Sequence, residues 1–364
     1  MTSVHDRLVS AKWRPSGFDY LRLVLAVLIA FQHCTSLSQN INLWDTAAQP
    51  LLLTLLPMFF CLSGFLVAGS LLRCKTILKF LGLRIIRIFP ALMTEVLLSA
   101  FIIGPIATTY PLVKYFSDSK FRAYLLNMIG DIHFDLPGLF QNNITHFVNY
   151  QLWTVPWELY CYVSISIISI IAMRKHRIIT LIVTISILIS YLVIHGIRHN
   201  FDFSFGSYSV PGFFLVFSFL VGACAFMYKE KIPHSFTLFA VSTIFTVLFA
   251  ITEHNRFAVG NYLSLFTICY MTIYLGSLNP RRLKFISASD YSYGIFLYHY
   301  VIQQTCYQFL PVTHHWYWMA LISGVIVFMA AAASWHLIEK PALSLRTHLD
   351  RWETSRFNRA NARA

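Results

Sequence analysis

The chain has 364 residues, of which 57% are apolar and only 12% charged, with 32 Phe, 19 Tyr and 8 Trp. A soluble domain carries about twice that share of charge, so an ordinary soluble fold is excluded. The formal charge of +13 invites a nucleic-acid reading, but its distribution along the chain, taken up below, points to a membrane instead.

Ten apolar stretches of spanning length follow one another, at roughly 18–37, 51–72, 85–107, 150–173, 177–196, 210–228, 235–252, 259–278, 290–310 and 315–338. Each is long enough to cross a bilayer as a helix. Helices are expected because backbone in lipid must satisfy its own hydrogen bonds, and the alternation of a membrane barrel is absent. The expected fold is an all-α polytopic membrane bundle of about ten transmembrane helices. One transmembrane domain covers 1–345, and a basic tail covers 346–364.

The first stretch contains Arg22 and His33. Ionisable residues inside a span are expensive and mark function by default. Eleven residues come within about 20° of three helical turns, so the two side chains share a face, roughly 16 Å apart along the axis. The second stretch carries Phe59-Phe60-Cys61-Leu62-Ser63-Gly64. Its Ser-Gly pair suits close helix packing. Ser63 could also act as a nucleophile or hydrogen-bonding group, although no nucleophile elbow surrounds it.

Between the second and third stretches the chain is basic: Arg73, Lys75, Lys79, Arg84 and Arg87. Arg84 and Arg87 are three residues apart and share a helix face. Such a cluster suits phosphate, lipid headgroups or topology alone. The connection from Thr108 to Asn149 is the longest, and loops of that length are usually functional or mobile. It is read as a lid, part of an acceptor site, or a tether. The fourth stretch holds Glu158 and the ninth His299. Counting rise from the inner edge puts His33 and Glu158 at about 20 Å and His299 at about 14 Å. A base, a carboxylate and a second imidazole at similar depth suit proton transfer from a hydroxyl, as in catalytic triads. A structural polar network binding helices is the alternative.

Six of the seven cysteines lie in expected spans, with no spacing that suggests disulfides or a metal site. With the N-terminus inside, 22 of the 28 Lys and Arg fall on the inner side, including Arg174, Lys175, Lys284 and the arginines of the tail. This is the positive-inside pattern, with both termini cytoplasmic. The polar tail beyond Arg346 is expected to be frayed and drawn to anionic headgroups.

Six segments in order resemble the acyltransferase-3 family of integral membrane O-acyltransferases. They are Arg22-x10-His33, FFCLSGFLV (59–67), RIIRIFPAL (84–92), LWTVPWELY (152–160), YSYGIFLYH (291–299) and HLIEKP (336–341). The resemblance implies transfer of an acyl group, usually acetyl, from cytoplasmic acyl-CoA to a hydroxyl of an extracytoplasmic or cell-surface glycan. It implies a stand-alone enzyme in the inner or plasma membrane, without a fused hydrolase-like domain. His33 would be the catalytic base with Glu158, and His299 and Ser63 would be catalytic or structural. Arg22, Arg84 and Arg87 would bind acyl-CoA. Acetyl-CoA is then the donor substrate, the lipid bilayer and a glycan acceptor are the partners, and neither metal nor nucleic acid is expected. The competing reading is a proton-coupled transporter or flippase lined by the same charges, but no inverted repeat is visible. An inactive scaffold for glycan assembly is a third.

Overall fold

The computed structural model describes residues 2–39, 43, 46, 48–170, 177–198, 210–252, 259–283 and 289–361. Arg174, Lys175 and Lys284 lie outside them. Every named element among the described residues is helical, and each of the ten expected spans falls on a helix. Four helical runs, Gly17–Ser36, Leu51–Arg73, Ile77–Ala107 and Trp316–Ser355, are each long and apolar enough to cross a bilayer, and shorter apolar helices accompany them. The protein is an all-α polytopic membrane protein.

The chain forms two compact units. The first comprises Met1–Leu25, Trp44–Arg73 and Trp157–Ala288. It begins with α1 (Val4–Ser10), started by a capping box. Ser3 Oγ accepts from the Asp6 N–H at 3.2 Å, and the Asp6 carboxylate accepts from the Ser3 N–H at 2.8 Å. The Ser3 N–H and, next, the Ser3 hydroxyl, which also donates to the carboxylate at 2.8 Å, hold the Asp6 carboxyl below its ordinary range. The N-terminal end of α2 (Gly17–Ser36) and all of α3 (Gln49–Arg73) also belong here. So do α5 (Thr154–Ile168) from Trp157 onward, α6 (Arg177–Arg198), α7 (Gly212–Met227), α8 (Phe236–Thr252) and α9 (Val259–Ser277).

Glycine sets the tightest contact of this unit. A Cβ on Gly64 would strike the backbone of Phe219, and one on Gly222 would strike the backbone of Cys61. α3 and α7 therefore meet main chain to main chain, the usual route to close packing where lipid removes the hydrophobic drive. The strand-like entry to α1 is tied to the α7–α8 connection. The Val4 N–H donates to the Ile232 carbonyl at 2.9 Å and the His234 N–H to the Thr2 carbonyl at 2.8 Å.

The second unit comprises Ala26–Leu43, Cys74–Pro156 and Ser289–Ala364. It contains the C-terminal half of α2, with α4 (Ile77–Leu98), α10 (Ser292–Phe309), α11 (Trp316–Ser334) and α12 (Arg346–Asn361). α4 starts at Thr76, whose Oγ1 accepts from the Lys79 N–H, and continues through a π-turn at Ser99–Ile103 to Ala107. A second π-turn, Trp335–Glu339, follows α11.

One expectation changes here. The tail is a helix rather than a frayed end. Glu353 accepts from the Thr76 N–H at 2.8 Å, and Lys79 Nζ lies 2.8 Å from both Glu353 and Asp350. A carboxylate at the N-terminus of α4 satisfies an orphan donor and meets the positive end of the helix dipole. The 108–149 connection is ordered by its own hydrogen bonds. Short helices Leu112–Ser117 and Ser119–Leu125 lead to Asn127, whose side chain closes a turn on both the N–H and the carbonyl of His133. Thr108 Oγ1 donates to the Pro137 carbonyl, and Tyr115 Oη, fully buried, to that of Ala100.

Candidate active site

His33 closes the last turn of α2, and α10 supplies two rings against it. The His33 and His299 centroids are 5.2 Å apart, and Tyr300 stands edge-on to His33 at 5.2 Å. Tyr150, from the short 3-10 helix Tyr150–Trp153, stands edge-on at 6.3 Å. Three segments distant in sequence thus line one ring-walled site inside the second unit. His33 is only partly buried, whereas His299 is fully buried. The Nδ1 of His299 lies 3.1 Å from the Ile295 carbonyl. A carbonyl only accepts, so Nδ1 carries the hydrogen and Nε2 presents its lone pair. His33 and His299, from the first and ninth expected spans, are thus in ring contact.

Glu158 falls in the first unit, where its Oε1 accepts from Tyr162 Oη at 2.5 Å, one helical turn on. Ser63 is half-buried on α3, immediately before the glycine that touches α7.

Arg22 lines a cavity of about 230 Å³ within the first unit. Arg14, Arg73, Arg282, Asp19 and Trp13 contribute to its wall. Asp19 lies 3.6 Å from both Arg22 and Arg282, and Arg282 donates to the Arg14 carbonyl at 2.6 Å. Four guanidiniums against one carboxylate leave an excess of positive charge suited to phosphate. The wall is held by a strained turn: Lys12 and Trp13 have φ of 51° and 59°. That left-handed region costs a non-glycine residue about 1–3 kcal/mol.

The RIIR pair divides. The Arg87 fork is occupied on both sides, by Asp290 at 2.6 Å and Glu339 at 3.2 Å, with Tyr293 under the guanidinium. The Glu339 side chain is 1% exposed and also accepts from Ser334. Arg84 lies over the Phe80 ring at 5.6 Å. Arg87 therefore joins segment 84–92 to segment 336–341 and to the residue preceding segment 291–299.

A family model described as an acyltransferase domain, that of acyltransferase-3, matches residues 16–335. The chain belongs to the acyltransferase-3 family. This acyltransferase is 26% identical over 338 residues to an "O-acetyl transferase" of Shigella phage Sf6, covering 90% of this chain and 96% of that protein. It is 27% identical over 365 residues to "Nodulation protein 10" of Rhizobium leguminosarum bv. viciae, covering 92% and 95%. No solved structure matches the acyltransferase.

Sequence reasoning passed over Tyr150, Tyr300 and Glu95. Tyr300 adjoins His299 in the string YHY, a usable signal. Glu95 is an acid within the expected span 85–107, so the rule that singled out Arg22 also finds it. It is fully buried and accepts from Ser99 Oγ at 2.6 Å and from the Asn149 amide. Tyr150 carries no local signal, being one of many aromatic residues near a span end.

Proposed function

We propose that the protein is a membrane O-acyltransferase that moves an acetyl group from cytoplasmic acetyl-CoA to a hydroxyl of an extracytoplasmic glycan, with both termini cytoplasmic. The observation that carries the reading is His33, an accessible imidazole in a ring-walled site on a helix whose other half bears Arg22 in an arginine-lined cavity. The relative named O-acetyl transferase supports the acyl group and the oxygen acceptor.

In this mechanism the imidazole of His33 takes the proton of the acceptor hydroxyl as its oxygen attacks the thioester carbonyl. The carbon–sulfur bond breaks, the ester forms, and the CoA thiolate leaves with the proton held by the imidazolium. His299 is assigned the role of the ring that fixes His33 from the side, and Glu158 is proposed as a further catalytic carboxylate on the strength of its place in segment 152–160. The phosphates of CoA go to Arg22, joined by Arg14, Arg73 and Arg282. Arg84 remains a contributor, and Arg87 becomes a structural residue because its fork is already filled.

The test is transfer of labelled acetate from acetyl-CoA to envelope glycan in membranes. Wild type yields a base-labile ester and His33→Ala does not. Full transfer by His33→Ala overturns the proposal. Acyl label trapped on His33 replaces direct attack by an acyl-imidazole step at the same residue.

A further inference from the structure

The chemistry above leaves Tyr150 without a task, yet its placement is heavily determined. Its neighbours Asn149 and Gln151 are buried, at 0% and 1% exposure, while Tyr150 between them is 36% exposed. The Asn149 amide donates to the Glu95 carboxylate and, at 2.8 Å, to Tyr124 Oη. The Gln151 amide donates to the Leu297 carbonyl at 2.7 Å, two residues before His299. Buried side chains on both flanks thus lock the backbone of an exposed ring to α4 and α10.

The ring itself is tiered. Tyr150 stacks on Phe147 at 5.6 Å and 18°, Phe134 packs on both, and Tyr300 and His33 each adjoin Tyr150 at 6.3 Å. Polar groups rim the tier: Asp135 and His146, 3.6 Å apart and both solvent-reaching, and Thr145 against Tyr300 Oη at 3.1 Å. An aromatic belt residue at a membrane interface needs no such locking. A flat apolar face with hydrogen-bonding groups at its edge matches a pyranose ring, whose C–H face is apolar and whose hydroxyls lie on its perimeter.

We propose that Tyr150, backed by Phe147 and Phe134, is the stacking platform that holds an acceptor sugar against His33, and that buried Glu95 is a positioning residue for it through Asn149. This rests on the glycan-acceptor reading above. Stacking acts on acceptor binding and leaves the donor site untouched. Removing the ring therefore raises the acceptor KM and spares the KM for acetyl-CoA. Trp at 150 preserves an aromatic face, whereas Leu preserves apolar area without one.

The experiment uses full-length protein in membrane vesicles. Polysaccharide extracted from the envelope of the producing cells is titrated at saturating labelled acetyl-CoA. Tyr150→Ala and Tyr150→Leu are expected to raise the acceptor KM about tenfold, with Tyr150→Trp near wild type and the donor KM constant in all three. Glu95→Gln, nearly isosteric, is expected to raise the acceptor KM in the same direction, and the double variant with Tyr150→Ala to be no worse than Tyr150→Ala alone. Equal behaviour of Leu and Trp overturns the platform and identifies a lipid-facing apolar surface. An unchanged acceptor KM in Tyr150→Ala overturns it outright, and additive effects of Glu95 and Tyr150 overturn the positioning role. His33→Ala is run alongside. Loss of transfer there with silent Tyr150 variants defeats only the platform, whereas retained transfer, or no label from wild type, defeats the O-acyltransferase reading beneath it.

Discussion

Replacing His33 by Ala removes one imidazole and leaves His299, Tyr300 and Tyr150 around the space. A general base contributes about 10²–10⁴ in rate, so label transfer should fall by that factor while the donor KM holds. The arginines separate by the same logic. Arg22→Ala should raise the donor KM with little change in thermal unfolding in detergent. Arg87→Ala strands the buried Glu339 carboxylate and should cost about 3 kcal/mol of stability, read as a lower melting temperature whether or not donor is added. His234 gives a pH signature. Burial, and then the positive charge of Arg7, lower its pKa from 6.5. The unfolded chain therefore binds the proton first, and the contribution is present above pH 6.5 and lost as pH falls below it. A His234→Phe variant should show a shallower acid limb in melting temperature against pH. Arg22 and His33 were legible because an ionisable group in an apolar run stands out in any sequence. Glu95 met the same criterion. The stacking of Tyr150 was not legible, since it depends on Asn149 and Gln151 turning inward onto Glu95 and the Leu297 carbonyl.

Among the elements, α3 and α7 are constrained by main-chain contact. Gly64→Val would drive a branched side chain into the Phe219 backbone, where no rotamer change relieves it. Little folded protein should be recovered, judged by a monodisperse peak in detergent. α12 makes the opposite kind of contact, polar and removable. Glu353→Ala deletes the acceptor for the Thr76 N–H and the partner of Lys79, and should cost about 1–2 kcal/mol. The apolar helices were visible in the sequence because long, mostly apolar stretches have few other fates. The docking of α12 was invisible: its composition is that of a solvated tail, and the N–H it caps lies 277 residues earlier. The order in the 108–149 connection was hidden for a related reason. Asn127 and Thr108 act through a few side-chain hydrogen bonds to loop backbone, and nothing in their residue types sets those bonds apart.

For the whole molecule, the charge bias makes a topological prediction. Alkaline phosphatase fused after residue 364 should be inactive, and the same reporter inserted near Ser117 should be active; the reverse pattern would invert the proposed sidedness of donor and acceptor. The cysteines offer a second route to this question. All seven are buried and none forms a disulfide, so the wild-type chain is expected to serve as a thiol-silent background toward bulky maleimides. Single cysteines can be placed at Ser117 or Thr347, both exposed, and read by gel shift in intact cells and in lysates without first stripping the native thiols from the core. Sidedness can thus be mapped on the active enzyme itself, with acetyl transfer and labelling scored in the same preparation.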